Sequence, residues 1–243
     1  MPESKMLILA FDTTSPDGST VLFRDLEQLG EVRSDGKTNY SVALFEMVDR
    51  LLGGGGATLA EVDLFAAATG PGSFSGIRVG LAAAQAWAKA FGRPALGVSV
   101  LEAMVGAARP HAKVAIPLLD ARRAEFYLGV FSRQETGDAE ESRFTLAGEG
   151  RVLSAVGVAA LVEDIAQSGD AEVDLVARDG DQSVFDLRAQ LPSWVKWSTV
   201  SGYLAASIAR LALRAAREGH LQHPEELDAL YIRRSDAEVN WRE

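Results

Sequence analysis

Three stretches of this chain carry residues whose types and spacing could hold a phosphate. Asp12 is followed directly by Thr13, Thr14 and Ser15. A carboxylate with adjacent hydroxyls at a strand end can sit beside a metal-phosphate group, or it can cap its own turn by accepting from amides two residues on. Asp120, followed by Ala121-Arg122-Arg123, offers the same two readings. The third stretch is Gly70-Pro71-Gly72-Ser73-Phe74-Ser75-Gly76, between an apolar run and an alanine-rich helical pattern. A strand, a glycine turn and a helix N-terminus aim unpaired N–H groups and the positive end of the helix dipole at one loop. Asp12, Thr13, Gly70, Gly72, Ser73 and Asp120 are therefore the candidate residues of a phosphate or nucleotide loop. The glycine spacing misses the dinucleotide fingerprint by one residue and lacks the Gly-Lys-Ser/Thr ending of a P-loop. Phe74 stands where a nucleophile elbow needs its nucleophile. A loop shaped by glycines for a sharp strand-to-helix turn is the plainer reading. No cofactor is expected; ATP or ADP with magnesium is what the phosphate reading would bring.

Metal and acid-base chemistry find little support. The histidines are His111, His220 and His223, and the last two precede Pro224 and follow Gly219, so they do not share a helix face. Without a His-x-x-x-His pair, zinc hydrolysis has no ligand set, and no Ser or Thr has an evident base for a triad. The chain has no cysteine, which excludes disulfides and thiol chemistry. A net charge of -10 opposes a broad grip on DNA or RNA. The N-terminus does not read as a signal peptide, and no run approaches membrane-spanning length. The expectation is a cytoplasmic protein with neither a membrane nor a DNA partner.

The elements that must position these residues fall into two halves. Strands are expected at 6–11, 19–23 and 31–34, then a helix over 40–52 with Asn39 as its cap and Gly53 to Gly56 as its stop. A strand at 62–68, a helix over 76–91, a strand at 95–98 and a short helix after Ser99 complete the first half. A boundary lies at 108–113. Strands follow at 114–119, 124–131 and 141–146, with residues 133–141 as a solvated hairpin tip, then a helix at 153–166 and a strand at 173–177. Three strands, a helix and a strand thus occur twice, each first strand ending in Asp, which reads as a duplicated α/β unit. The segment 179–196 is irregular by pattern. An amphipathic helix over 203–217 turns Arg210, Arg214, Arg217 and Ser207 toward solvent, and the tail from Leu230 reads as a short extended segment.

Two helices carry more apolar perimeter than one sheet can cover. In the first, Ala43, Leu44, Phe45, Met47, Val48, Leu51 and Leu52 leave one sector to Glu46, Asp49 and Arg50. In the second, only Arg78, Gln85 and Lys89 form a polar stripe. An ordinary surface helix needs an apolar stripe about 100° wide. Either another helix of the same chain covers the excess, or a second subunit does.

Five segments, ILAFDTT (8–14), TGPGSFSGIRVG (69–80), GVSVLEA (97–103), LDARRAEFY (119–127) and YIRRSDAE (231–238), together resemble the bacterial TsaB family, also called YeaZ. The resemblance runs over nearly the whole chain. It implies a two-lobed actin/Hsp70/sugar-kinase-like (ASKHA) fold with duplicated βββαβ units. Residues 1–107, joined by the crossing helix at about 203–217, would form the first lobe and 108–202 the second. It further implies a non-catalytic scaffold paralogous to TsaD, required for threonylcarbamoyladenosine at position 37 of tRNAs that read codons beginning with A. The implied partners are TsaD in a heterodimer, the ATPase TsaE in a ternary complex, a second copy when alone, and tRNA indirectly. The family pairing surface carries over to Tyr40, Leu44, Phe45, Met47, Val48 and Leu51 of the first helix and to Arg78, Leu81, Ala82 and Gln85 of the second. Where relatives commonly begin that first helix with His-Ser, this chain has Tyr40-Ser41. A nucleotide-binding, ATPase-like protein is the alternative.

Overall fold

A computed structural model describes residues 5–134, 143–169 and 172–233. It divides into two compact units, Met1–Ala103 with Gly202–Tyr231, and Met104–Ser201 with Ile232–Glu243.

The first unit is built on a five-stranded sheet of order β3-β2-β1-β4-β5. Its strands are β1 (Leu7–Asp12), β2 (Ser19–Arg24), β3 (Glu27–Arg33), β4 (Leu64–Gly70) and β5 (Ala95–Ser99). β2 is antiparallel to β1 and β3, whereas β1, β4 and β5 run parallel. Every residue of β1 is buried, as its unbroken apolar run requires of a strand covered on both faces. One face carries α1 (Tyr40–Gly55) and α2 (Phe74–Phe91), whose Leu44, Val48, Leu51, Ile77, Leu81 and Ala84 pack with Leu9, Phe11, Leu22 and Phe65. The other face receives α6 (Ala205–Arg217), which packs on β1, β2 and β4. The N-terminus of α6 has no side-chain cap of its own; the Ala205 amide donates instead to the Ser19 hydroxyl at 3.3 Å.

The second unit repeats that plan. Its strands are β6 (Val114–Asp120), β7 (Glu125–Leu128), β8 (Phe131–Gln134), β9 (Arg143–Leu146), β10 (Arg151–Ser154), β11 (Val173–Arg178) and β12 (Lys196–Val200). The order β10-β7-β6-β11-β12 matches the first sheet position for position, with the β8–β9 pair as an addition. The helices α4 (Ala155–Gln167) and α5 (Gln182–Arg188) supply Val158, Val162, Val184 and Leu187 to a core with Ile116, Leu118, Phe126 and Leu175. α3 (Val100–Ala108) spans the division between the units. With its duplicated sheet-and-helix units the chain has a two-lobed α/β fold.

Several boundaries differ from the sequence expectation. β3 begins at Glu27, because the β2–β3 turn is a tight one at Asp25, in left-handed conformation at φ 54°. α1 runs through Gly53 to Gly55 and stops at Gly56, and Asn39 occupies its N-cap position without a side-chain bond. The expected strand at 124–131 is split into β7 and β8, which keep one register on β6. In that register Gly129 faces Pro117, whose missing N–H interrupts the ladder. β10, α5 and β12 have no counterpart in the sequence expectation; they are four, seven and five residues long, with little periodicity to betray them. Ser207 is buried rather than solvent-facing and donates to the Ala103 carbonyl at 2.7 Å. The expected hairpin tip lies largely outside the described residues, as does the tail beyond Arg233. Among the described residues no helix is long and apolar enough to cross a membrane.

Candidate functional site

The phosphate-loop candidates of the first unit are occupied with one another. Asp12 is fully buried, and its Oδ1 accepts from the Thr14 amide at 2.8 Å and the Thr14 hydroxyl at 2.6 Å. Thr13 donates its hydroxyl to the Gly76 carbonyl at 2.7 Å. The Ser73 amide donates to the Thr14 carbonyl at 2.7 Å, and the Ser73 hydroxyl caps α2 by accepting from the Gly76 amide at 3.3 Å. The glycines serve close approach: a Cβ on Gly72 would lie 2.5 Å from the Thr14 carbonyl oxygen, and one on Gly76 would overlap that of Thr13. Gly70 turns the chain at φ 106°, before a cis Gly70–Pro71 peptide. In the second unit, Asp120 is exposed and accepts from the Arg122 amide at 2.7 Å. It begins a turn in which Arg122, Arg123 and Ala124 all have positive φ. Among the described residues no group of three or more His, Asp and Glu is placed to hold a metal.

The two helices with excess apolar perimeter resolve into buried and exposed residues. Leu44, Met47, Val48, Leu51 and Leu81 all lie inside the first unit. Their placement on a partner surface is corrected: the sheet beneath α1 and α2 takes them as core. Tyr40 is only half-exposed, and its hydroxyl donates to the Ser15 carbonyl at 2.7 Å and the Pro16 carbonyl at 3.1 Å. Burial pushes the Tyr40 phenol above its ordinary value. The Gln85 amide donates to the Leu227 carbonyl at 2.9 Å. Phe45, Arg78 and Ala82 remain at the surface.

Part of α2 is covered by the same chain. After α6 the backbone bridges β5 at Ala95–Gln222, then follows α2. Lys89 pairs with Glu225 at 3.0 Å, Leu227 enters the core, and the Leu230 amide donates to the Thr69 carbonyl at 2.9 Å. This strap, residues 221–231, is a covering that the sequence pattern does not reveal.

What stays uncovered is specific. Phe45 is 51% exposed and Val42 53% exposed on α1. The Phe45 ring meets Trp87 of α2 edge-on at 5.7 Å, and Trp87 in turn touches Phe11 and Phe65. On α2, exposed Arg78, Ala82 and Ala86 fall at i, i+4 and i+8, a single line of the helix. Small side chains on such a line let another backbone approach closely, while Phe45 stands beside them as an aromatic anchor. Val42, Phe74, Ala86 and Tyr231, all exposed, belong to the same surface inventory and are absent from the sequence-based candidates. The signal is present in the helical phase: Val42, Phe45, Glu46 and Asp49 are spaced i, i+3, i+4, i+7, so the charged residues mark the outward sector.

Comparison with known proteins fits this architecture. The family model for TsaD, tRNA N6-adenosine threonylcarbamoyltransferase, matches residues 30–149. The tRNA threonylcarbamoyladenosine biosynthesis protein TsaB of Escherichia coli is 33% identical over 151 residues, 59% of this chain and 64% of that protein. Its namesake in Bacillus subtilis is 31% identical over 126 residues, 52% of this chain and 55% of that protein. The match thus spans less than two thirds of either relative. The solved structure of YeaZ from Pseudomonas aeruginosa is 26% identical with a TM-score of 0.73, covering 93% of this chain and 99% of that one.

Proposed function

We propose that this chain, which is similar to bacterial TsaB/YeaZ proteins and related to TsaD, is a supporting subunit in the threonylcarbamoylation of tRNA. In this reading it performs no bond chemistry. It associates with a TsaD-type transferase, which modifies adenosine 37 of tRNAs reading codons that begin with A, and the pair engages the ATPase TsaE. Alone, the same face pairs two copies.

The observation that carries the reading is the uncovered face of Val42, Phe45, Ala82 and Ala86, left open although the strap covers the neighbouring flank of α2. A solitary exposed apolar residue is ordinary; an aromatic anchor beside a line of small residues on two adjoining helices has the composition of an interface core. The nucleotide alternative has less behind it, because the Thr14 hydroxyl and amide bond to Asp12 while the Thr13 and Ser73 hydroxyls bond to the Gly76 main chain.

The test is reconstitution with the cognate TsaD-type and TsaE-type subunits. Omission of this chain should abolish or strongly reduce tRNA threonylcarbamoylation, and Phe45→Asp should do so by preventing association while the isolated chain keeps its melting temperature. Undiminished modification without the chain would overturn the proposal.

A further inference from the structure

We infer that Phe74, Arg78 and Tyr231 form a preassembled clamp for an aspartate or glutamate side chain of the partner subunit, an inference that rests on the docking reading above.

The three residues come from two places in the sequence. Phe74 opens α2, Arg78 lies one turn further on, and Tyr231 ends the strap. The Arg78 guanidinium lies 3.9 Å from the centroid of the Phe74 ring, and its Nε donates to the Tyr231 hydroxyl at 3.2 Å. The two rings pack with centroids 5.5 Å apart at an inclination of 32°. Phe74 is nevertheless 42% exposed and Tyr231 43%. Three large side chains are therefore held in one arrangement at the surface, where nothing in the first unit's core requires it.

The charge on this cluster is what points to its occupant. The chain carries ten more negative than positive charges, and its described arginines at 33, 93, 214 and 233 each lie against a carboxylate. Arg78, like the described arginines at 24, 50, 109, 122, 151, 188 and 217, lies against no carboxylate among the described residues; it is held instead by the Phe74 ring and the Tyr231 hydroxyl. Among the described residues only its Nε is engaged, which leaves the two terminal nitrogens with their donors in the fork geometry that matches a carboxylate. A guanidinium stacked on a ring is already partly desolvated and fixed, which lowers the ordering cost of a partner's arrival.

The position selects a protein occupant. Arg78 begins the line continued by Ala82 and Ala86, so a subunit that lies along those alanines passes over Arg78 one turn earlier. Tyr231 acts on this contact through Arg78: its hydroxyl holds Nε and thereby sets the plane of the fork.

The experiment is titration of the full chain with its cognate TsaD-type subunit, from low to high sodium chloride, using the wild type, Arg78→Ala, Arg78→Lys, Tyr231→Phe and Phe45→Ala. The clamp predicts that Arg78→Ala weakens association by about 10- to 100-fold and flattens its salt dependence. Arg78→Lys, which keeps the charge but not the fork, should recover only a minor part, and Tyr231→Phe should fall between wild type and Arg78→Ala. Melting temperatures should stay near the wild-type value, since all three groups are exposed. Wild-type affinity and salt response in Arg78→Ala, with Phe45→Ala weakened, would remove the clamp and leave the docking face. Unchanged affinity in both would remove the docking face itself. Retained subunit affinity with reduced tRNA retention by the Arg78→Ala complex would assign the fork to an RNA phosphate and overturn the inference.

Discussion

Thr13 donates its hydroxyl to the carbonyl oxygen of Gly76 at 2.7 Å, tying the end of β1 to the first turn of α2 across 63 positions of sequence. A loop of this composition elsewhere would be read as an anion cradle. Here the glycines bring two pieces of backbone together, and the hydroxyls of Thr13, Thr14 and Ser73 are engaged within the protein. Gly76→Ala should therefore act on folding: its Cβ meets a main-chain oxygen that has nowhere to move, at a cost of about 3 kcal/mol. Ser73→Ala, which removes only the α2 cap, should cost about 1 kcal/mol. Urea unfolding of the two variants distinguishes these magnitudes; equal losses would show that the close approach is not what Gly76 supplies.

The same contacts predict silence toward nucleotide. Calorimetric titration of the isolated chain with magnesium-ATP should give no one-site isotherm in the micromolar range. A tight isotherm abolished by Asp12→Asn would mean that the bonds from Thr14 to Asp12 open on ligand binding, and would restore the ATPase-like alternative.

Neighbouring residues of α1 should separate stability from association. Leu44 is fully buried and Phe45 half-exposed. Leu44→Ala should destabilise the first unit by about 2–5 kcal/mol, as core truncations do. Phe45→Ala should leave unfolding nearly unchanged and weaken the partner complex by about 2 kcal/mol, roughly 30-fold. Paired denaturation and binding measurements check both. A Phe45→Ala variant that loses stability instead would place the ring in the packing around Trp87 and outside the interface.

This contrast also marks how far the sequence can be read. The duplicated strand-and-helix order, the Asp at each first strand end and the excess perimeter of two helices are all visible in it, because long apolar runs and helical periodicity are local properties. The apolar count alone does not separate the buried side of α1 from its outward side, although Glu46 and Asp49 carry the phase. The strap over α2 has no local signature: Leu227, Gln222 and Tyr231 sit in a stretch without periodicity, and their partners Gln85, Gly97 and Arg78 are more than a hundred residues away. Short edge elements such as β12 are defined by pairing to β11, which no local pattern records.

Tyr40 provides a test of a strut against a contact. Its hydroxyl is engaged by the Ser15 and Pro16 carbonyls, and a Cβ on Gly18 would run into its ring. Tyr40→Phe should lose about 1 kcal/mol of first-unit stability without altering subunit affinity. A change in affinity alone would return the phenol to the partner surface.

The pH dependence of the second unit should carry the mark of Asp174. This residue of β11 is buried; its Oδ2 accepts from the Ser198 hydroxyl at 2.8 Å, while its Oδ1 is buried without a hydrogen-bond partner. Burial raises its carboxyl above the ordinary aspartate value, against the opposing pull of Ser198, Lys196 and His111. A carboxyl whose pKa is higher folded than unfolded contributes stability below the unfolded value, about 3.9, and loses that contribution as pH rises through the folded value. The second unit should therefore lose stability through this group on going upward from about pH 4, opposite to a salt-bridged aspartate. Asp174→Asn removes the titration, whatever its offset from lost charge pairing with Lys196. The stability difference between variant and wild type should move in favour of the Asp174→Asn variant as pH rises from about 3.5 to about 7, measured by denaturant unfolding of the full chain. A difference that stays constant over that range would mean the carboxyl reaches water in the folded protein and carries no burial cost.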